Sequence, residues 1–267
     1  MEKKVLTKEQ KKKIRELVEV LYDYQAQRIR TANRLGKKKD GELQDTDFPN
    51  IPIDEIPELV DILDNATELE VRIKKLIEKE IKGIPIYEEF LKKVKGCGVI
   101  MSAVLIAYID IEKAVNASKI VQYAGLGGGK VRGKKKDENG NVVLTNDLIR
   151  GDKPTKGYLL PYNAKLKSKV MGVLATCFIK SKSQYKFYYD DYKNRKSNSS
   201  EFVNGTNRMW KDESKSHIDL ASRRYMMIMF LQDLYGRWRE LEGLPVRQPY
   251  CQEYLGHETT MKKVVIE

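Results

Sequence analysis

Residues 90–109 read FLKKVKGCGVIMSAVLIAYI: a basic helix end, a Gly-Cys-Gly turn, and an almost wholly apolar helix. The pattern predicts a helix-hairpin-helix in which Val94 closes the first helix. Gly96 and Gly98, which lack side chains and tolerate positive φ, let a phosphate oxygen approach the peptide N–H groups. Those N–H groups open the next helix and have no partner within it, so together with the helix dipole they favour an anion. Lys92, Lys93 and Lys95 stand beside the turn as mobile positive charge. A Gly-x-Gly is also an ordinary αα-turn, with Val99, Ile100, Val104, Leu105 and Ile109 as core; the flanking lysines and the basic chain favour the nucleic-acid reading.

The whole chain points the same way. It has 267 residues, a charged fraction of 33 % and a net charge of +12, which suits a helix-rich protein with a polyanionic partner. No apolar run reaches the roughly 18 to 20 residues of a membrane span, so a membrane is not an expected partner. The opening MEKKVLTKEQKKK is not a secretory signal, and the expected location is the cytoplasm. Cys97, Cys177 and Cys251 are far apart and show no CxxC spacing, and with only His217 and His257 beside them neither a disulfide framework nor a metal centre is indicated.

Outward from the turn, residues 7–35 predict one helix with Thr7 as N-cap and an apolar stripe of Ile14, Leu17, Val18, Leu21, Ile29 and Leu35. Residues 36–57, rich in Asp, Gly and Pro, read as a linker. A second helix over 57–82 carries Leu59, Ile62, Leu63, Leu69, Ile73, Leu76 and Ile77. Two such helices can pair within the chain or pair with a second copy, and a homo-oligomer through them is expected. Beyond the turn, a short helix is predicted over Ala117–Tyr123 with Gly125 at its end. The Gly- and Lys-rich stretch 127–160 contains Asn139-Gly140, a turn signal between the strand-prone KVRGKKK and NVVLT. Lys130, Arg132, Lys134, Lys135 and Lys136 make this stretch a second candidate contact with nucleic acid.

Pro161 is expected to open a helix whose apolar face is Leu166, Val170, Val173, Leu174, Cys177 and Phe178. The aromatics of SQYKFYYDDYKNRK (183–196) either stack bases or pack helices together. Residues 216–242 predict a long helix with Arg223, Arg224, Arg237 and Arg239 mostly off its apolar face, and with His217, which lacks a partner in sequence reach, in a structural role. The remainder, 243–267, reads as a tail.

The expected architecture is therefore mainly α: a helical hairpin or coiled coil over 1–86, a helix-hairpin-helix domain over 87–245 with a small β-containing insertion at 127–160, and a tail from 246 to 267. In series, VKGCGVIMSAVLIAYI, IVQYAGL, the Gly/Lys-rich segment, LPYNAKLKSKVMGVLA and RRYMMIMFLQDLYGRWRELEGLPV resemble the C-terminal half of transposases of the insertion-sequence one-ten family, recombinases guided by a bridge RNA. The resemblance covers about residues 90–245, and the preceding helices resemble that family's coiled coil. It implies DNA, and a guide-type structured RNA, as partners. It also implies catalysis by an N-terminal RuvC-like domain holding magnesium on four acidic residues, with a serine nucleophile just after the Tyr-Ala-Gly-Leu stretch. This chain begins where the coiled coil would begin, and after Tyr123-Ala124-Gly125-Leu126 it reads GGGKVRG, without a serine. A covalent DNA intermediate needs an activated hydroxyl at one point. The expectation is accordingly a nucleic-acid-binding relative of transposases without autonomous strand cleavage, with no cofactor of its own and magnesium only if a RuvC-like partner is supplied. Two other readings stay open: an active recombinase using an atypical nucleophile or a partner nuclease, and a helical assembly protein.

Overall fold

The computed structural model describes residues 6–35, 57–203 and 205–247. The linker read at 36–57, apart from Pro57, and Cys251, His257 and nearly all of the tail lie outside the described residues. The described chain is mainly helical with one small antiparallel sheet, and it divides into two compact units that meet between Ile84 and Pro85.

The first unit is a pair of helices, α1 (Lys8–Arg34) and α2 (Pro57–Ile81). Thr7 Oγ1 accepts the Gln10 amide at 3.1 Å and so satisfies one orphan donor of the first turn. Lys13 meets Glu80 at 2.6 Å and Arg28 meets Glu70 at 2.5 Å, so the helices run antiparallel. Ile14, Val18 and Leu21 bury against a stripe at every fourth residue of α2: Ile73, Ile77 and Ile81. Glu70 is buried in this seam with Arg28 and Lys74 on its carboxylate. Ile29, Ile62 and Leu76, expected in the apolar stripes, are exposed, because one seam between two helices is too narrow to cover them.

The second unit begins with α3 (Pro85–Glu89), followed by a 3-10 turn at Leu91–Lys93, rather than one helix running through to Val94. Phe90, at φ −136° and ψ −67°, breaks the run. Then come α4 (Val99–Tyr108), buried from Met101 to Tyr108, and α5 (Ala117–Tyr123). Asn116 caps α5 by accepting the Lys119 amide, and Gly125 at φ +70° ends it, with the Leu126 amide returning to the Val121 carbonyl. Strands β1 (Lys130–Lys136) and β2 (Val142–Arg150) form a two-stranded ribbon with Lys130 opposite Arg150 and Lys136 opposite Val142. Asp137 builds its turn by accepting the Asn139 and Asn141 amides, and Gly140 takes φ +81°.

The next helix starts at Ala164 rather than at Pro161, because Asn163 caps it by accepting the Leu166 amide at 3.0 Å. It runs as α6 (Ala164–Ser168), a π-helical stretch Lys169–Leu174 and α7 (Ala175–Lys180). The wider π turn spaces the buried residues four apart, at Leu166, Val170, Leu174 and Phe178. Val173 is therefore exposed and Cys177 only half-buried, where a regular helix would have put both on the apolar face.

Last come α8 (Lys186–Ser197) and α9 (Lys215–Leu241). The aromatics of 183–196 are largely packing residues: Tyr185, Tyr188 and Tyr189 are buried, and Tyr192 stacks on Tyr225 at 4.8 Å. His217 does find a partner, four residues back, in Glu213 at 2.9 Å.

α9 is the axis of this unit, touching α3, α5, α7, α8 and the π-helical stretch. Phe230 is fully buried at its middle, between the rings of Phe90 (6.2 Å), Phe178 (5.0 Å) and Tyr185 (5.3 Å). Burial on so many sides reaches Arg239, which was expected off the apolar face. Its guanidinium donates to the carbonyls of Ile111 and Ala114 at 3.0 Å each and to that of Pro245 at 2.6 Å. Losing a buried partner costs about 1–3 kcal/mol per stranded group. Arg239→Met, which keeps the stem and removes the donors, is expected to lower unfolding stability by about 3 kcal/mol in urea titration. A loss under about 1 kcal/mol would mean that water replaces the guanidinium.

Candidate nucleic-acid interface

The structure sorts the predicted contact residues into two places on the second unit, and no hydrogen bond or ion pair among the described residues links them. The first is the turn between Leu91 and Val99. Lys92, Lys93 and Lys95 are all exposed, but Lys92 is held by Glu88 at 2.9 Å, one helical turn back. Neither Lys93 nor Lys95 has an ion pair among the described residues.

The two glycines have different jobs. Gly96 has φ +91°, and a Cβ there would collide with Ser181 Oγ and lie 3.1 Å from the Cys177 carbonyl, so the turn lies directly on the end of α7. Gly98 was expected to use the same freedom, but its φ is −70°. It is the extended N-cap of α4, with no heavy atom near its would-be Cβ and no side-chain hydrogen bond capping the helix. Having no side chain, it places no cap of its own on the first-turn amides. Between the two, Cys97 is buried. Burial pushes its thiol up to about 12, opposed by its contact with Ser102, so it is no thiolate nucleophile.

Two residues that support the turn carry no sequence signal. The side-chain amide of Gln184 accepts the Lys95 N–H at 3.0 Å and donates to the Lys93 carbonyl at 3.0 Å, pinning both ends of that peptide segment as a neighbouring strand would. Lys182 lies between Gln184 and Ser181 in sequence. Its φ is +52°, the only positive value at a non-glycine among the described residues. There the Ser183 amide returns to the Phe178 carbonyl and the Lys182 amide to that of Ile179, the helix-end motif that usually has glycine at this position. A lysine in this conformation costs about 1 kcal/mol relative to glycine.

The second place is the ribbon. Along β1, Lys130, Arg132, Lys134 and Lys136 are exposed, while Val131, Gly133 and Lys135 are partly or fully covered. Lys135 is thus separated from the other four cations: its ammonium lies 4.2 Å from the centre of the Tyr158 ring. That ring also sits against Gly133, where a Cβ would strike it, and Tyr158 donates to Asp147 at 2.6 Å. None of the four exposed cations has an ion pair among the described residues. Across the ladder their partners include Val142, Leu144 and Leu148, all exposed.

The root of the ribbon is fixed by charge. Asp152, nearly buried, accepts both Arg150 Nε (3.0 Å) and Nη2 (3.1 Å), and also Arg224 Nη1 from α9 (3.1 Å). Burial pushes the Asp152 carboxyl up, but the Arg150 hydrogen bond and the charges of Arg224 and Arg150 outweigh it and hold it below the usual carboxylate range. Arg224 Nε also donates to the Leu126 carbonyl at 2.8 Å, and a Cβ on Gly128 would lie 3.0 Å from its guanidinium. Gly128, in the hydroxyl-free Gly127-Gly128-Gly129 segment, thus lies close to Arg224. Among the described residues no three His, Cys, Asp or Glu side chains come together.

A scan against protein-family models gives no match, and neither does a search of curated proteins.

The glycine geometry sets a paired test. Gly96→Ala forces a side chain into a strained φ and against α7 and is expected to cost about 2 kcal/mol or more by chemical denaturation. Gly98→Ser meets open space at a φ suited to an N-cap and is expected to stay within about 0.5 kcal/mol of the parent. Equal losses would show that both glycines are packing residues. Separately, Lys182→Gly is expected to raise stability by about 1 kcal/mol, since it removes the cost of the left-handed conformation; a fall in melting temperature would mean that the lysine side chain supports the fold.

Proposed function

We propose that the chain grips the backbone of a nucleic acid through two cationic surfaces of its second unit, and that it does so as a binding relative of transposases that does not cut DNA by itself. Residues 85–108 act as the helix-hairpin-helix: the first-turn amides of α4, which no side chain caps, take a phosphate oxygen, and Lys93 and Lys95 supply mobile charge beside it. The exposed face of β1 adds four more cations.

One observation carries this reading. On α8 and α9, cations are repeatedly matched by nearby carboxylates: Arg223 with Asp219, Lys186 with Asp190, Arg195 with Asp191, Lys196 with Glu201, Arg224 with Asp152. Lys130, Arg132, Lys134 and Lys136 are not, although alternate residues of one strand lie only about 6.7 Å apart. A face meant only to stay solvated has no reason to concentrate unpaired charge of one sign, which costs free energy through self-repulsion. A phosphate backbone supplies the missing anions and releases its counterions in return.

The absence of cutting rests on the Gly127-Gly128-Gly129 segment, which has no hydroxyl to attack a phosphodiester. In this reading these residues contribute positioning in DNA transposition or recombination rather than the chemistry of strand cleavage.

Fluorescence anisotropy of labelled duplex DNA and structured RNA across a salt series tests the reading. Affinity is expected to fall steeply with salt. Replacing Lys130, Arg132, Lys134 and Lys136 together by Gln is expected to reduce the slope of log K against log salt by up to about 4, close to one per phosphate released. Salt-independent binding, or a slope unchanged in the variant, defeats the proposal.

A further inference from the structure

The exposed face of the ribbon holds more than its cations. Opposite Arg132, Lys134 and Lys136 on β1 stand Leu148, Leu144 and Val142 on β2, and they are 62 %, 65 % and 58 % exposed. Single exposed apolar side chains are ordinary. These three stand opposite three of the four unpaired cations, with a register irregularity between Arg132 and Lys134 that sets Leu148 four residues from Leu144, so beside the charged track the face carries a second, apolar one. A partner that offered only phosphates would give the apolar track nothing to touch.

Resting on the nucleic-acid reading above, we infer that the ribbon's ligand is double-stranded DNA of B form, entered through the major groove. The cation track faces one phosphate strand, and Val142, Leu144 and Leu148 face the base edges. Thymine presents a methyl group in that groove, which apolar side chains contact favourably. The B-form major groove is about 12 Å wide and admits a two-stranded ribbon, whereas the A-form groove of double-stranded RNA is too deep and narrow for side chains to read.

The surroundings of the ribbon leave this face the more open of the two. On the opposite face Tyr158 lies over Gly133 and Lys135, and on the outer edge of β1 the Lys134 carbonyl already accepts the Leu159 amide. The tip carries Asp137 and Glu138, so tip-first entry would bring carboxylates to the phosphates, and the ribbon lies lengthwise instead. An anionic bilayer would also match cations beside apolar groups, but the acidic tip and three apolar side chains make a poor anchor.

The test uses the full chain and three probes of equal length: an alternating adenine-thymine DNA duplex, the same duplex with uracil in place of thymine, and the corresponding RNA duplex. Each is titrated with the parent and with the Leu144→Ser, Leu148→Ser double variant, whose positions are exposed enough to leave the fold intact; its melting temperature is recorded alongside. The parent is expected to prefer the thymine duplex over RNA by tenfold or more and over the uracil duplex by about threefold to tenfold. The double variant is expected to lose the thymine–uracil difference while keeping its salt slope. Equal binding to DNA and RNA duplexes, or a thymine preference that survives in the double variant, overturns the inference and leaves backbone binding standing. No salt-dependent binding to any duplex removes both. Tight binding to phosphatidylserine vesicles that depends on Leu144 and Leu148, with none to DNA, overturns the inference in favour of a membrane.

Discussion

The second unit depends on burying α9 along most of its length. A helix covered on several sides cannot carry solvated charge there, so each cation it brings inside must be met by an oxygen of the surrounding chain. Arg239 meets three carbonyls and Arg224 meets Asp152 and the Leu126 carbonyl. These contacts tie the loops after α4 and α5 to the axis. The same helix supplies Phe230, against which Phe90 stacks just before the turn and Tyr185 packs just after Gln184. The Gly96 turn is therefore fixed from below: Phe90 leads into it, Gln184 pins it, and the end of α7 fills the space that a side chain at Gly96 would need.

The two cationic places differ in how they hold an anion. At the turn, backbone amides have fixed directions and the flanking lysines add charge around them, which suits one phosphate at one position. On the ribbon the charge sits at the ends of long side chains spaced along a strand, which suits a series of phosphates without fixing any of them. Phosphate contacts of both kinds position a protein on a duplex without reading its bases. Direct discrimination between sequences has to come from groups that reach base edges, and Val142, Leu144 and Leu148 are exposed apolar side chains beside the ribbon's cations.

Much of this architecture is legible in the chain. Thr7 and Gln10 mark the start of α1, Ala117–Tyr123 is the observed α5, and Gly125 ends it because the left-handed residue of a helix end favours glycine. KVRGKKK is β1 itself. The misreadings share a cause: local pattern says nothing about what arrives from far along the chain. A π turn leaves apolar spacing that looks helical while moving Val173 and Cys177 off the buried face. The helix expected to open at Pro161 begins at Ala164, where Asn163 supplies the cap. Gln184, about ninety residues from the peptide it pins, and Lys182, at a helix end where glycine would be expected, leave no pattern to find.

Net charge shows the same limit from the other side. The chain has 50 Lys and Arg against 38 Asp and Glu, and that excess alone is compatible with a basic surface spread evenly over the molecule. Pairing in space separates the cases. Surface ion pairs are each worth at most about 1 kcal/mol, so their distribution says little about stability, but it does say where charge is neutralised. In the second unit several cations of α8 and α9 have carboxylates within reach, and one face of β1 has none. Of the five cations clustered at 130–136, alternation along the strand sends four to that face and turns Lys135 onto an aromatic ring. The basic run acquires a direction only once it folds as a strand, because a period of two places alternate side chains on opposite faces.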